Sequence, residues 1–133
     1  MPPSRSRRWE VHLSSEAIDW LTSCTTDQAA LARVMSDFNA IWQRVMLAGP
    51  RTGEPLIKKL IATDSIWEAR VKDPTGAYRM FFAFGRLPDG RRLAAVAYGR
   101  KKSEQNFPRA VIDLAERRVQ DYLALLGAQL ERR

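Results

Sequence analysis

Residues 8–13, reading RWEVHL, alternate apolar and polar positions, the period of a half-buried strand. Ser14 or Ser15 can cap a short helix to about Ser23, with Ala17, Ile18 and Leu21 on one face. Thr25 or Thr26 can cap a longer helix to about Leu47. Its stripe of Leu31, Val34, Met35, Phe38, Ile41, Trp42 and Val45 recurs at the 3.6-residue period and reads as core. Residues 49–55, GPRTGEP, form a loop, and LIKKLI at 56–61 is too short to assign to either period. Three strands follow at about 66–72, 77–84 and 93–99. DPTG at 73–76 turns between the first two, and residues 85–92, with LPDG inside, join the second to the third. Pro108 suits the first turn of a last helix whose apolar face is Val111, Ile112, Ala115, Val119, Tyr122, Leu123 and Leu126. Gly127 should weaken or end it. The order β-α-α-β-β-β-α predicts an α+β fold, a small mostly antiparallel sheet packed against helices. With no repeat, low-complexity tract or linker, residues 1–133 read as a single domain, residues 1–7 being a flexible tail.

Composition narrows the setting. At 45% hydrophobic and 28% charged residues the chain is ordinary globular protein. No apolar run nears the roughly 20 residues of a membrane helix. No apolar stretch follows the first arginines, so a secretory signal is not expected. The single cysteine, Cys24, excludes an internal disulfide and a multi-cysteine zinc site. The cytoplasm is the expected compartment.

Charge becomes informative once divided. Residues 1–50 hold five basic and five acidic side chains, and residues 103–133 hold five of each. Residues 51–102 hold twelve basic and five acidic, and so carry the whole net charge of +7. A basic excess confined to one stretch fits a polyanion-binding face, and equally a solvated surface. A turn closed by residues 72 and 77 sets Arg70 opposite Arg79. A loop closed by Phe84 and Leu93 sets Tyr98 opposite Arg79. Arg70, Arg79 and Tyr98 would then form a row across three strands, with Glu68 on the same face to relieve the two facing arginines. Lys58 and Lys59 before the sheet, and Arg100, Lys101 and Lys102 after its last strand, would surround that row. Arginine forks suit a phosphodiester. Tyr78, Phe81 and Phe107 offer rings for stacking bases, although sheet-core packing is the simpler reading of Tyr78 and Phe81.

Standard catalytic groups are scarce. The chain has no P-loop, no dinucleotide fingerprint and no HExxH motif. Its one histidine, His12, lies in the first strand, and Cys24 has no histidine near it in sequence. No carboxylate cluster suggests a two-metal nuclease. No metal or small-molecule cofactor is expected, and an enzyme acting on nucleic acid would rely on Arg, Lys, Tyr or Glu.

Several runs carry a family likeness: LIKKL at 56–60, IWEAR at 66–70, GAYRMFF at 76–82, GRKKS at 99–103, then Pro108 and a last helix with Arg117, Arg118 and Tyr122. In this order and spacing, and with the opening WEV, the chain resembles the RelE/ParE superfamily of bacterial toxins, and most of all its HigB-type branch with phage-derived relatives. The resemblance spans nearly the whole chain and implies a RelE-like fold. It implies a toxin of a type II toxin–antitoxin pair, a ribosome-dependent mRNA endoribonuclease that inhibits translation. In such metal-free chemistry the ribose 2′-OH attacks the adjacent phosphate and the protonated 5′-oxygen leaves, giving a 2′,3′-cyclic phosphate.

By that resemblance Arg79 stabilises the scissile phosphate. Glu68 and Arg70 match the glutamate–arginine pair of the family pattern, with Glu68 either a base or the partner that orients Arg70. Lys101 falls where relatives carry a second phosphate-binding cation, and Tyr98 is the candidate proton-transfer group. Lys58, Lys59, Arg100, Lys102 and Phe107 would meet RNA or ribosome. With no histidine in the basic segment, base catalysis would fall to a lysine or Glu68. The expected partners are a HigA-like helix-turn-helix antitoxin, the ribosome and mRNA, with no membrane. The alternatives are a ParE-like toxin that blocks DNA gyrase without nuclease chemistry, and a non-catalytic RNA- or protein-binding relative.

Overall fold

A computed structural model describes residues 8–61, 63, 65–102 and 106–131. Residues 1–7 and Ser103 lie outside them. The described elements run β1 (Trp9–Leu13), α1 (Ser15–Ser23), α2 (Gln28–Ala48), β2 (Ile57–Lys59), β3 (Trp67–Asp73), β4 (Gly76–Arg86), β5 (Arg92–Lys102) and α3 (Arg109–Glu131). The strands form one mixed sheet in the order β1-β5-β4-β3-β2. Three of its four pairings are antiparallel, and β1 runs parallel to β5. The α+β architecture agrees with the expected order, with the unassigned LIKKLI run adding an edge strand.

The helix starts follow from their caps. The Ser14 hydroxyl accepts from the Ala17 N–H at 3.1 Å, and Asp27, rather than Thr25 or Thr26, caps α2 by accepting from the Ala30 N–H at 3.1 Å. α3 does not stop at Gly127 but continues to Glu131, since Leu126 and Leu130 still have Leu87, Leu93 and Ala95 to cover. The sheet therefore separates two apolar layers. On one face α1 and α2 bury Ala17, Val34, Phe38, Ile41, Trp42 and Val45 against Ala69, Val71, Tyr78, Met80 and Phe82. On the other, α3 buries Ala115 and Val119 against Ile66, Phe81, Ala83 and Ala97. Tyr78 and Phe81 are thus core residues, each fully buried.

The pairing of β3 with β4 sets Arg70 opposite Arg79 as the turn chemistry predicts. The pairing of β4 with β5 differs from expectation. The connecting loop closes between Arg86 and Arg92, and a bulge at Phe81/Phe82 leaves Ala97 unpaired. Tyr98 consequently faces Phe81, and Arg100 takes the place opposite Arg79. The bulge is anchored, because Ser14 donates its N–H to the Val96 carbonyl at 2.8 Å and its hydroxyl to the Ala97 carbonyl at 3.4 Å. An extra residue also reverses which face later side chains occupy. Ala97 and Tyr98 both pack on the α3 side, Gly99 meets Trp20 on the α1 side, and Arg100 and Lys102 return to the α3 side.

Two contacts give checkable consequences. A Cβ at Gly99 would overlap the Trp20 ring. Gly99→Ala should therefore cost about 1–3 kcal/mol by overpacking, read as a lower thermal midpoint. The other contact joins α2 to the β3–β4 turn. Arg33 donates to Asp73 Oδ1 and Oδ2 at 2.8 and 3.2 Å, and Thr75 donates its N–H and hydroxyl to Oδ2 at 3.0 and 2.7 Å. Arg33 first, then Thr75, holds the Asp73 carboxyl well below the usual carboxylate range. A lowered acid contributes stability that is full above its unfolded value near 4 and is lost as pH falls toward the native one. Asp73→Asn should thus be less stable than wild type at pH 6, and the gap should narrow below about pH 4 in a thermal-melt series.

Candidate functional site

Lys58 and Glu68 are opposite each other on β2 and β3, and Arg70 and Arg79 on β3 and β4. Alternation puts all four on the α3 face of the sheet. Past the end of the α3 layer that face is uncovered, and a hollow of about 250 Å³ opens there. Lys58, Lys59, Arg70 and Lys102 supply its cations, Glu68 stands at its base, and Phe107, Asn106 and Ile112 come from the start of α3 and the residues before it. The first turn of that helix adds the positive end of its dipole. The Lys102 ammonium lies 5.6 Å from the Phe107 ring centre, and Phe107 packs edge-on against Phe81 at 5.4 Å.

At the base of the hollow one carboxylate serves two guanidiniums. Glu68 Oε1 lies 3.7 Å from Arg70 Nε and 3.8 Å from Arg79 Nε. Glu68 is 5% and Arg79 2% exposed. Arg79 Nη1 donates to the Tyr78 carbonyl at 3.2 Å, while its Nε has no hydrogen-bond partner. Burial is the main influence pushing the Arg79 value down; Glu68 opposes it and Arg70 adds to it. Arginine nevertheless stays charged at neutral pH. Arg70 is partly open, and Glu54 Oε1 approaches its Nη1 at 3.6 Å from the other side.

The residues singled out by sequence therefore separate into groups. Glu68, Arg70, Lys58, Lys59, Lys102 and Phe107 meet at one hollow. Arg79 sits behind Glu68 and does not reach the wall. Arg100 continues the arginine row and donates to the Tyr98 hydroxyl at 3.4 Å, but neither lines the hollow. Lys101 is on the opposite face, its ammonium 5.3 Å from the Tyr78 ring centre. The reason is the bulge, which leaves Lys102, not Lys101, on the side of the arginines. His12 is distant from these residues and donates its Nε2–H to Glu10 Oε1 at 3.2 Å, Glu10 being forked by Arg91 at 2.7 and 2.6 Å. Asn106, Leu60, Ile61 and Ile112 also line the hollow and were not anticipated. The one signal for Asn106 was its place beside Phe107 and Pro108.

A protein-family model described as "Phage derived protein Gp49-like (DUF891)" matches residues 28–120. The chain belongs to this Gp49-like family. The matched stretch runs from the start of α2 into α3 and includes every residue that lines the hollow. No curated protein and no solved structure matched the chain. Among the described residues of this Gp49-like protein, no three His, Cys, Asp or Glu side chains converge as metal ligands, and no helix is long and apolar enough to cross a membrane.

The paired guanidiniums predict a measurable dependence. Glu68→Gln leaves buried Arg79 beside Arg70 with no carboxylate between them, and should cost about 3 kcal/mol in urea unfolding. Glu68→Ala should lose at least as much, and sulfate at tens of millimolar should restore stability to that variant more than to wild type, because the shortened side chain leaves space for an anion between the arginines.

Proposed function

We propose that this protein is a toxin of a type II toxin–antitoxin system, an mRNA endoribonuclease of the RelE/HigB kind that acts on the ribosome and is neutralised by a HigA-like antitoxin. The observation that carries the reading is the hollow with four cations converging around Glu68 beside an aromatic wall. Membership of a phage-derived family agrees with the resemblance of the motif runs to phage-derived HigB relatives.

In this reading Arg70 and Lys102 hold the scissile phosphate, Arg70 by its fork and Lys102 as a point charge. Phe107 stacks the adjoining base. Glu68, committed through Oε1 to both arginines, orients Arg70 rather than receiving the 2′-OH proton. Arg79 acts through Glu68 and adds positive potential from behind. Lys58 and Lys59, both cations in the hollow's wall, are placed to donate a proton to the leaving 5′-oxygen, while the 2′-OH proton passes to water. Positioning of the message by the ribosome supplies much of the rate, as orientation does wherever strong acid–base groups are few.

The second reading is a toxin or binding module without cleavage, such as a gyrase inhibitor. It draws on two facts: the hydroxyl of Tyr98 does not line the hollow, and neither does His12. One experiment separates the two. Wild type and Arg70→Ala are induced in bacteria and message 5′ ends are mapped within minutes. Growth arrest with in-frame cuts, reduced about 10²-fold in Arg70→Ala, is the expected result. Arrest with intact messages would assign the second reading.

A further inference from the structure

Arg70 is the partition between two hollows. Behind it lies another of about 320 Å³, between one face of α2 and the outer edge of β3. Ile41 and Val71 form its apolar floor, and Arg44, Arg70 and Lys72 line it with Asp37 as the acid among them.

The edge beside this groove is open. β2 covers β3 only over Trp67–Ala69, and the next outward bond is Arg70 N–H to the Leu56 carbonyl at 2.9 Å. Before Leu56 the chain turns away, through Pro55, which has no N–H, and the 3-10 turn Gly49–Thr52. The antiparallel ladder alternates, so the next outward-facing N–H and C=O belong to Lys72. Among the described residues no strand pairs with Lys72 on that side.

We infer that the groove receives an extended acidic segment of a partner protein, added to the sheet as a strand. Its backbone bonds to Lys72 at the edge, and its carboxylates meet Arg44, Arg70 and Lys72. Three cations against Asp37 select for negative charge. A second copy of the chain is a poor occupant, because edge pairing would bring the same cations face to face. The chain's own ends, MPPSRSR and ERR, are basic. An RNA strand could neutralise the cations but would leave the open backbone and the apolar floor unused. Glu54, 64% exposed by its side chain, already approaches Arg70 from outside, so a carboxylate can reach that guanidinium. A segment that takes hold of Arg70 here draws on the same side chain that lines the first hollow. That coupling rests on the proposed function; the docking itself does not.

The test uses the full chain and a labelled peptide of about eight residues alternating glutamate and valine. Its twin carries the same charge but is N-methylated at every second residue, so that it cannot pair with a strand. Anisotropy should report binding of the peptide and not of its twin. Arg44→Glu should weaken binding at least about tenfold, whereas Arg86→Glu, an equal change of charge at the far end of β4, should leave it nearly unaltered. Amide exchange at Lys72 should slow on binding. No binding, equal binding of the twin, equal loss in both variants, or unchanged exchange at Lys72 would each overturn the inference. Displacement of the peptide by an oligouridylate that itself protects Lys72 would assign the groove to RNA instead. Message cleavage is measured separately, so failure of docking and failure of the nuclease reading remain distinct.

Discussion

A guanidinium placed mid-strand in a sheet covered on both sides must be given an anion, and in this protein much else follows from that requirement. β4 holds a run of six buried residues, Tyr78–Ala83, and Arg79 lies within it. Its cross-strand partners in both directions, Arg70 and Arg100, are also arginines. Like charges set opposite each other repel. Glu68, diagonal to Arg79 and two residues from Arg70, sits within 4 Å of both and offsets that repulsion. The carboxylate is used up inside the row, so the positive charge left over is displayed outward by Arg70, Lys58 and Lys102. A basic hollow is the outward face of a solution to an internal problem.

The parts around that hollow differ in the kind of element that carries them. Its floor and cationic walls stand on paired strands, whereas Asn106 and Phe107 precede a helix and Leu60 and Ile61 belong to a connecting segment. Charge is therefore carried by the strands, and apolar contact by the connecting segments and the first turn of α3. That division suits a ligand whose phosphates are constant and whose bases vary. Among the described residues Arg70 alone faces both this hollow and the groove beneath α2, and so connects the sheet edge to the charged site.

What could be read from the chain was what depends on local period and turn chemistry. Most of each helix face, the α+β order and the Arg70–Arg79 pairing followed from spacing and from the DPTG turn, although Ile18 and Met35, expected on the buried faces, are exposed. What could not be read depended on contacts far apart in sequence. The bulge at Ala97 is held by Ser14, more than eighty residues earlier, and nothing in AAVAYGRKK itself marks it. The expected neighbour of Arg79 was Tyr98, and the observed one is Arg100; the expected second cation was Lys101, and the residue at the hollow is Lys102. The first difference arises from that one residue together with the loop closing at Arg86 and Arg92; the second does not, since the expected register also sets Lys102 on the arginine face, and Lys101 comes from the family resemblance. The burial of Arg79 was equally hidden, since an arginine in a strand pattern carries no sign of whether its tip reaches water. The helix overrun past Gly127 shows tertiary packing outweighing a local propensity worth about 1 kcal/mol.

The bulge bears on how such a chain can change over generations. Ala97 is the residue at which the parity of β5 is reset. Single replacements along this strand alter one side chain at a time. Loss of one codon here would exchange the two faces for everything that follows, turning Arg100 and Lys102 into the Trp20 layer and Lys101 out toward the arginines. Homologous chains are therefore expected to accept replacements at the exposed positions of this stretch, but not at Gly99, while holding its length constant, with gaps confined to the loop between Arg86 and Arg92.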